Sequence, residues 1–218
     1  MYVAGNGTSS GKNTGTITAT TGTGVYVDGA AHSFNGTGGT IASNAVGIYL
    51  KNTGANKITA GTLNIGSGGV GVFGENAKID FAVNVTGAGA VGVAAESGTV
   101  ISGNITTGQD SVGAYVLDNT VSFNGSVITT GTNSSNTSIG VLLANGIGTY
   151  TMNNVTVNAK NGVGIYLGTG ANLTHNGTVT TENGIGIYDS KWNYSYNRYN
   201  CSKCKKWWNR CIYRSGNS

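Results

Sequence analysis

One pentad, of the form x-[VIT]-G-[VIA]-[YFLA], recurs eight times along this chain, and its spacing leaves few folds open. It begins at Gly22, Ala45, Gly69, Ala90, Ser111, Ser138, Gly162 and Gly184, at intervals of 23, 24, 21, 21, 27, 24 and 22 residues. Its central glycine never varies: Gly24, Gly47, Gly71, Gly92, Gly113, Gly140, Gly164 and Gly186. Glycine supplies 38 of the 218 residues, about one in six, so a glycine at all eight centres is not chance. Self-similarity at this period marks an array of stacked units, each too small to bury its own apolar face.

Each unit alternates with period two, which is the signature of a strand. The alternation assigns Val46, Ile48 and Leu50 to one face and Gly47 and Tyr49 to the other. Turn-forming pieces such as KNTGANK follow, then a second alternating run such as KITAGTLNI. Two or three short strands fit in a unit, but a strand-helix-strand crossover does not. The expected fold is therefore all-β: a right-handed parallel β-helix, or β-solenoid, of about eight coils of 21–27 residues over 1–189, followed by an irregular tail over 190–218. Coils stacked at about 4.8 Å would make a rod on the order of 40 Å long.

Stacking turns equivalent positions into files. The inward file is expected to run Val25, Ile48, Val72, Val93, Ala114, Val141, Ile165 and Ile187. Its inward companion would be Thr23, Val46, Val70, Val91, Val112, Ile139, Val163 and Ile185. Outside, Tyr26, Tyr49, Phe73, Tyr115, Tyr166 and Tyr188 should form a column interrupted by Ala94 and Leu142. β-Branched residues suit the pleated wall because they have little rotamer freedom to lose. Charged residues are only 9% of the chain, as expected where like charges would stack on one another and repel.

Charge and aromatic content divide the chain near residue 190. Residues 1–189 hold five Lys against all eight acids, a net of −3. Residues 190–218 hold seven basic residues and no acid, together with every Cys and every Trp but a single Gly. The codons that such residues require explain the contrast. When the tail is read one base later, Trp192 before Asn193 must give Gly, and Trp207-Trp208 before Asn209 must give Gly-Gly. With permitted codon choices, positions 191–212 become NGTTATTGTIAANAKNGGIGVY. A ninth pentad then starts at 208, at an interval of 24 from Gly184. The tail is expected to be out-of-frame translation, produced by a one-base shift near residues 188–191.

No constellation in this sequence demands chemistry, and no catalytic residue, metal or cofactor is expected. Cys201-x-x-Cys204 with Cys211 supplies three zinc ligands without a fourth nearby, and the shifted frame accounts for all three. The run KCKKWWNR has the composition of a single-strand nucleic-acid platform, yet the same frame argument covers it, and no nucleic-acid partner is expected. Asp28, Glu75, Asp80, Glu96, Asp110, Asp118, Glu182 and Asp189 are scattered and lie mostly in turns, where they read as solvated charge. His32 and His175 sit beside turn signals and should face solvent. Runs such as GTITATT resemble the Thr-x-Thr arrays of ice-binding solenoids, but coil lengths of 21–27 should break the lattice. No apolar run approaches the roughly 20 residues of a membrane helix. The opening residues MYVAGNGTSSGKNTG have neither a basic nor an apolar leader region, so no secretory signal is expected.

The units GVGIYLGTGANLTHNGTVTTENGIGIY and AVGIYLKNTGANKITAGTLNIGSGGVGVF resemble the repetitive passenger regions of bacterial autotransporter adhesins of the type V secretion class. The resemblance covers residues 1 to about 189. It implies right-handed β-helical coils on the outer surface, an export signal upstream and an outer-membrane barrel downstream. It also implies a parent protein that binds host or neighbouring cells, with this chain an internal fragment serving as adhesin or stalk and having no catalysis of its own. Neither signal nor barrel is expected in this sequence, so the fragment expressed alone would stay in the cytoplasm. The alternatives are a carbohydrate-active β-helix enzyme, which needs carboxylates clustered in one groove, and the inert product of a decayed gene.

Overall fold

The computed structural model describes residues 1–131 and 137–190, and among these the regular structure is entirely β. Every strand pair is parallel, and each strand bonds to the equivalent strand one coil away. The fold is thus a parallel β-solenoid of about eight turns. The reframed tail, its ninth pentad and Cys201, Cys204 and Cys211 lie outside the described residues.

Three strand positions recur per coil and make three faces. Face 1 carries the pentads, in Thr23–Asp28, Val46–Lys51, Val70–Glu75, Val91–Glu96, Val112–Val116 and Ile139–Leu143. Face 2 is built from short strands such as Ser33–Asn35, Lys78–Ile79, Val100–Ile101 and Ser122–Phe123. Face 3 stacks Thr16–Ala19, Thr40–Ser43, Thr62–Ile65, Val83–Val85, Ile105–Thr107 and Val127–Thr130. In the last two coils the corners stay in the strand ladder, so Gly148–Leu167 and Ala171–Asp189 run through the coil as long, bent strands.

The interior is apolar on all three sides. Face 1 contributes Val25, Ile48, Val72, Val93, Ala114, Val141 and Ile165, all fully buried; Ile187, in the last coil, is partly buried against the same core. Face 2 contributes Phe34, Ile58, Ile79, Ile101, Phe123, Tyr150 and Leu173. Face 3 contributes Ile41, Leu63 and Val85, with Val83, Ile105, Ile128, Val157 and Val179 beside them. The expected inward file of face 1 is therefore present, but its expected companion is not. Val46, Val70, Val91, Val112, Ile139, Val163 and Ile185 are half-exposed and Thr23 is exposed. The true companions are Val27, Leu50, Ala95, Val116, Leu143 and Leu167, two residues after the first file.

The cause of this correction is the central glycine, which lines the interior rather than facing outward. A Cβ placed on Gly47 would lie 2.9 Å from the Ile65 side chain and 2.7 Å from the Gly71 carbonyl of the next coil. The same clash recurs up the file. From Gly24 to Gly164, a Cβ would meet the next glycine's carbonyl oxygen at 2.5–2.8 Å; at Gly186, the last of the file, nothing lies within 4 Å. Consecutive coils approach too closely there for any side chain. The ladder also omits the glycines from its pairing, which shifts the alternation by one and leaves Val46 outside while Ile48 points in.

A second corner follows each face-1 strand. Gly29, Asn52, Asn76 and Ser97 all take positive φ there, of 112°, 52°, 49° and 52°. Asn tolerates this left-handed turn better than most residues. It also bridges coils: Asn76 Nδ2 donates to Asn52 Oδ1 at 2.9 Å, and Asn52 Nδ2 donates to Asp28 Oδ1 at 3.3 Å.

Both histidines depart from expectation. His32 is buried, accepting from the Ser9 amide at Nδ1 (3.1 Å) and facing the Gly5 carbonyl through Nε2 (3.1 Å), so it ties the first coil to the second. His175 lies within Ala171–Asp189, with its Nε2 buried and lacking a hydrogen-bond partner. Burial lowers its pKa below the ordinary value of 6.5. The unfolded chain therefore takes up the proton first as pH falls through 6.5, and stability drops with it. Thermal melts between pH 7.5 and 5.5 should show an acid-side loss that His175→Phe reduces, and an unchanged slope in that variant would refute the assignment.

Candidate functional site

The outer surface of face 1 gathers the side chains whose chemistry goes beyond packing. Because the strand register is kept from coil to coil, the aromatic positions superimpose. Tyr2, Tyr26, Tyr49 and Phe73 form one continuous stack, with centroids 5.1, 5.1 and 5.0 Å apart and interplanar angles of 2°, 20° and 24°. Tyr166 and Tyr188 form a second, at 5.1 Å and 28°. Ala94 and Leu142 interrupt the column where the sequence places them, each paired in register with Tyr115 between them. Tyr2 precedes the first full pentad and was missed for that reason; its pairing with Tyr26 puts it in the file.

Two residues beyond the rings runs a charged file. The register pairs Asp28 with Lys51, Lys51 with Glu75 and Glu75 with Glu96. These acids end strands rather than occupying turns, contrary to the sequence reading. Lys51 Nζ lies 2.9 Å from Glu75 Oε1, and the Tyr49 hydroxyl donates to Glu75 Oε2. Tyr26 OH donates to Asp28 Oδ2 at 3.2 Å. The Tyr49 hydroxyl bond, with Lys51 beside it, holds the Glu75 carboxyl below its usual pKa. Burial, seconded by that carboxylate, raises the Tyr49 phenol well above its usual value. Tyr49 stays protonated and serves as donor and stacking ring.

Each ring pair is worth about 0.5–1.5 kcal/mol beyond its buried area. Tyr49→Ala removes two pairs and should cost about 1–3 kcal/mol in urea unfolding, whereas Tyr49→Phe keeps the stack and should recover most of the loss. Equal losses in both variants would assign the effect to the Glu75 bond instead.

A third file flanks the rings on the other side. Val46, Val70, Val91, Val112, Ile139, Val163 and Ile185 precede the ring position of their own coil by three residues and stand half-exposed, outside the core cluster. Rings and aliphatic side chains together make an apolar stripe along the rod. Its width of about 10 Å follows from three residues at ~3.3 Å, and its length of nearly 40 Å from eight coils at ~4.8 Å. Sequence reading missed this stripe because it placed the aliphatic file inside.

The other acids stay apart. Asp118 sits at a corner, where burial works against ionisation but hydrogen bonds from Thr120, Ser97 and Val121 prevail and lower its pKa. Asp80 accepts from the Asn56 amide at 2.6 Å, and Glu182 lies 3.9 Å from Lys160. Among the described residues no group of three His, Cys, Asp or Glu is placed to hold a metal ion.

Face 3 carries an outward file of small polar side chains. Thr16, Thr40 and Thr62 are in register, as are Asn84, Thr106, Thr129, Asn158 and Thr180, and the Leu63–Val85 pair joins the two runs. Unequal coil lengths do not break this register, because the extra residues fall between strands; the longest interval is taken up between Thr130 and Ile139. Comparison of the chain with protein families, with curated proteins and with solved structures finds no match.

Proposed function

We propose that this chain is a rod-forming segment of a larger cell-surface protein of the autotransporter passenger type, acting as adhesin or stalk. The observation that carries the proposal is the parallel strand register of face 1, which is kept from coil to coil. A solenoid of this kind grows by adding coils, each needing only its neighbour. Such a rod can fold progressively as it leaves a secretion pore, and it holds a patterned lateral surface away from the membrane. Its chemistry suits contact rather than turnover. The rings and aliphatic side chains supply apolar area, and the Asp28, Lys51, Glu75 and Glu96 file supplies directional charge.

The test is display. Residues 1–190 are joined between an export signal and an outer-membrane translocator barrel, and intact cells are treated with protease. A protease-accessible, folded rod on the surface is the expected result, with cell-to-surface adhesion measured in the same strain. Retention inside the cell, or surface display of unfolded chain, would overturn the proposal.

A further inference from the structure

We propose that a recess on face 3, beside the strands Val83–Val85 and Ile105–Thr107, binds one unit of a neutral glycan whose chain lies along the rod. The recess has a volume of about 400 Å³, and Asn84, Thr86, Ala88, Thr106 and Gln109 line it. It lies where the file that carries Thr86 loses its side chain one coil on. Val85 pairs with Thr107, so Thr86 and Gly108 occupy equivalent positions, and the glycine leaves the space beside Thr86 unfilled. A concave site with a few convergent polar groups is the usual form of a small-ligand site.

The lining selects the chemistry of the ligand. Among the described residues it is uncharged, so an ionic ligand finds no counter-charge there. Asn84 and Gln109 each offer an amide that both donates and accepts, and Thr106 offers a hydroxyl. None of these three side chains hydrogen-bonds to another described residue. Thr86 Oγ1 donates to the Leu63 carbonyl at 3.4 Å, which leaves its lone pairs to accept. An apolar ligand would take these groups out of water without pairing them, at a cost. A sugar ring pairs them through its rim of hydroxyls, and its C–H face rests on Ala88 and the threonine methyls. Asn84 and Thr106 also belong to the outward file of face 3, with Thr62 on one side and Thr129 on the other. Coils repeat at ~4.8 Å, close to the advance of one pyranose in an extended chain, so successive sugars meet successive coils.

This supplies a ligand class to the adhesin reading and rests on that reading for its place on the cell. The two fail separately, because glycan binding is measured on the purified chain and needs no display. Cello-, chito- and mannohexaose are the probes, titrated by calorimetry into the full-length protein. At least one should bind with a Kd of about 1 mM or tighter. Asn84→Ala with Gln109→Ala should weaken that binding by about fivefold or more, since two hydrogen bonds are lost. Val46→Ser with Val70→Ser, on the outer side of face 1, should leave the Kd unchanged, and circular dichroism verifies the fold of both variants. Sodium chloride at molar strength should also leave it unchanged, because no ion pair takes part. Three results would overturn the proposal: no binding of any of these hexaoses, an unaltered Kd in the recess variant, or binding that molar salt abolishes.

Discussion

Gly113→Val should destabilise the rod by about 3 kcal/mol, at the upper end of the usual range for overpacking. A Cβ at Gly113 would stand 2.6 Å from the Gly140 carbonyl of the next coil and also run into the Ile128 side chain of face 3. Neither neighbour can yield easily, since one is main chain fixed between the paired residues Ile139 and Val141 and the other is fully buried. Gly186→Val is the matched control. The same pentad position there has nothing within 4 Å, so the cost should fall well below that of Gly113→Val. Urea midpoints of the two variants measure the contrast, and equal losses would show that glycine serves backbone flexibility rather than close approach of coils.

Removing core volume should cost as much or more. Ile101 is fully buried on face 2 between Ile79 and Phe123 of the neighbouring coils. Ile101→Ala should cost about 3–4 kcal/mol, because the strands above and below are locked in register and cannot collapse into the cavity. Ile17→Ala, at a partly buried position of the first face-3 strand, should cost less than half as much. In a linear array each coil is supported only by its neighbours, so a weakened middle coil uncouples the two ends. Denaturation followed by tyrosine emission and by circular dichroism should therefore lose coincidence in Ile101→Ala, whereas coincident transitions would show that the solenoid unfolds as one block.

These two positions show how unevenly the molecule could be read in advance. The pentad and its period were enough for the solenoid, its coil count, the Val25 to Ile165 file and the column of rings, because a repeat of side chains at constant register becomes a file once coils stack. Alternation failed at one place. It assumes an unbroken pleat, and the glycine of each pentad breaks it, turning Val46 and its equivalents outward. Sequence alone also scattered Asp28, Lys51, Glu75 and Glu96 over four coils, with nothing local to say that they share one file.

Unequal interval lengths misled in the opposite direction. They suggested a broken lattice on face 3, although only the connections change length and the strands keep their pairing. His32 looked like a turn residue because its neighbours are turn formers, yet its ring fills the space above Gly29 and bonds to Ser9 and Gly5 of the preceding coil.

The sequence by itself determined that this chain winds into stacked parallel coils, since only a fold with one equivalent position per lap can use so regular a repeat. Tertiary structure alone decided that the central glycines line the interior and that Val46 and its equivalents turn outward. That choice depends on how closely successive glycines approach across coils, a distance of a few ångströms between residues more than twenty positions apart, and no local pattern encodes it.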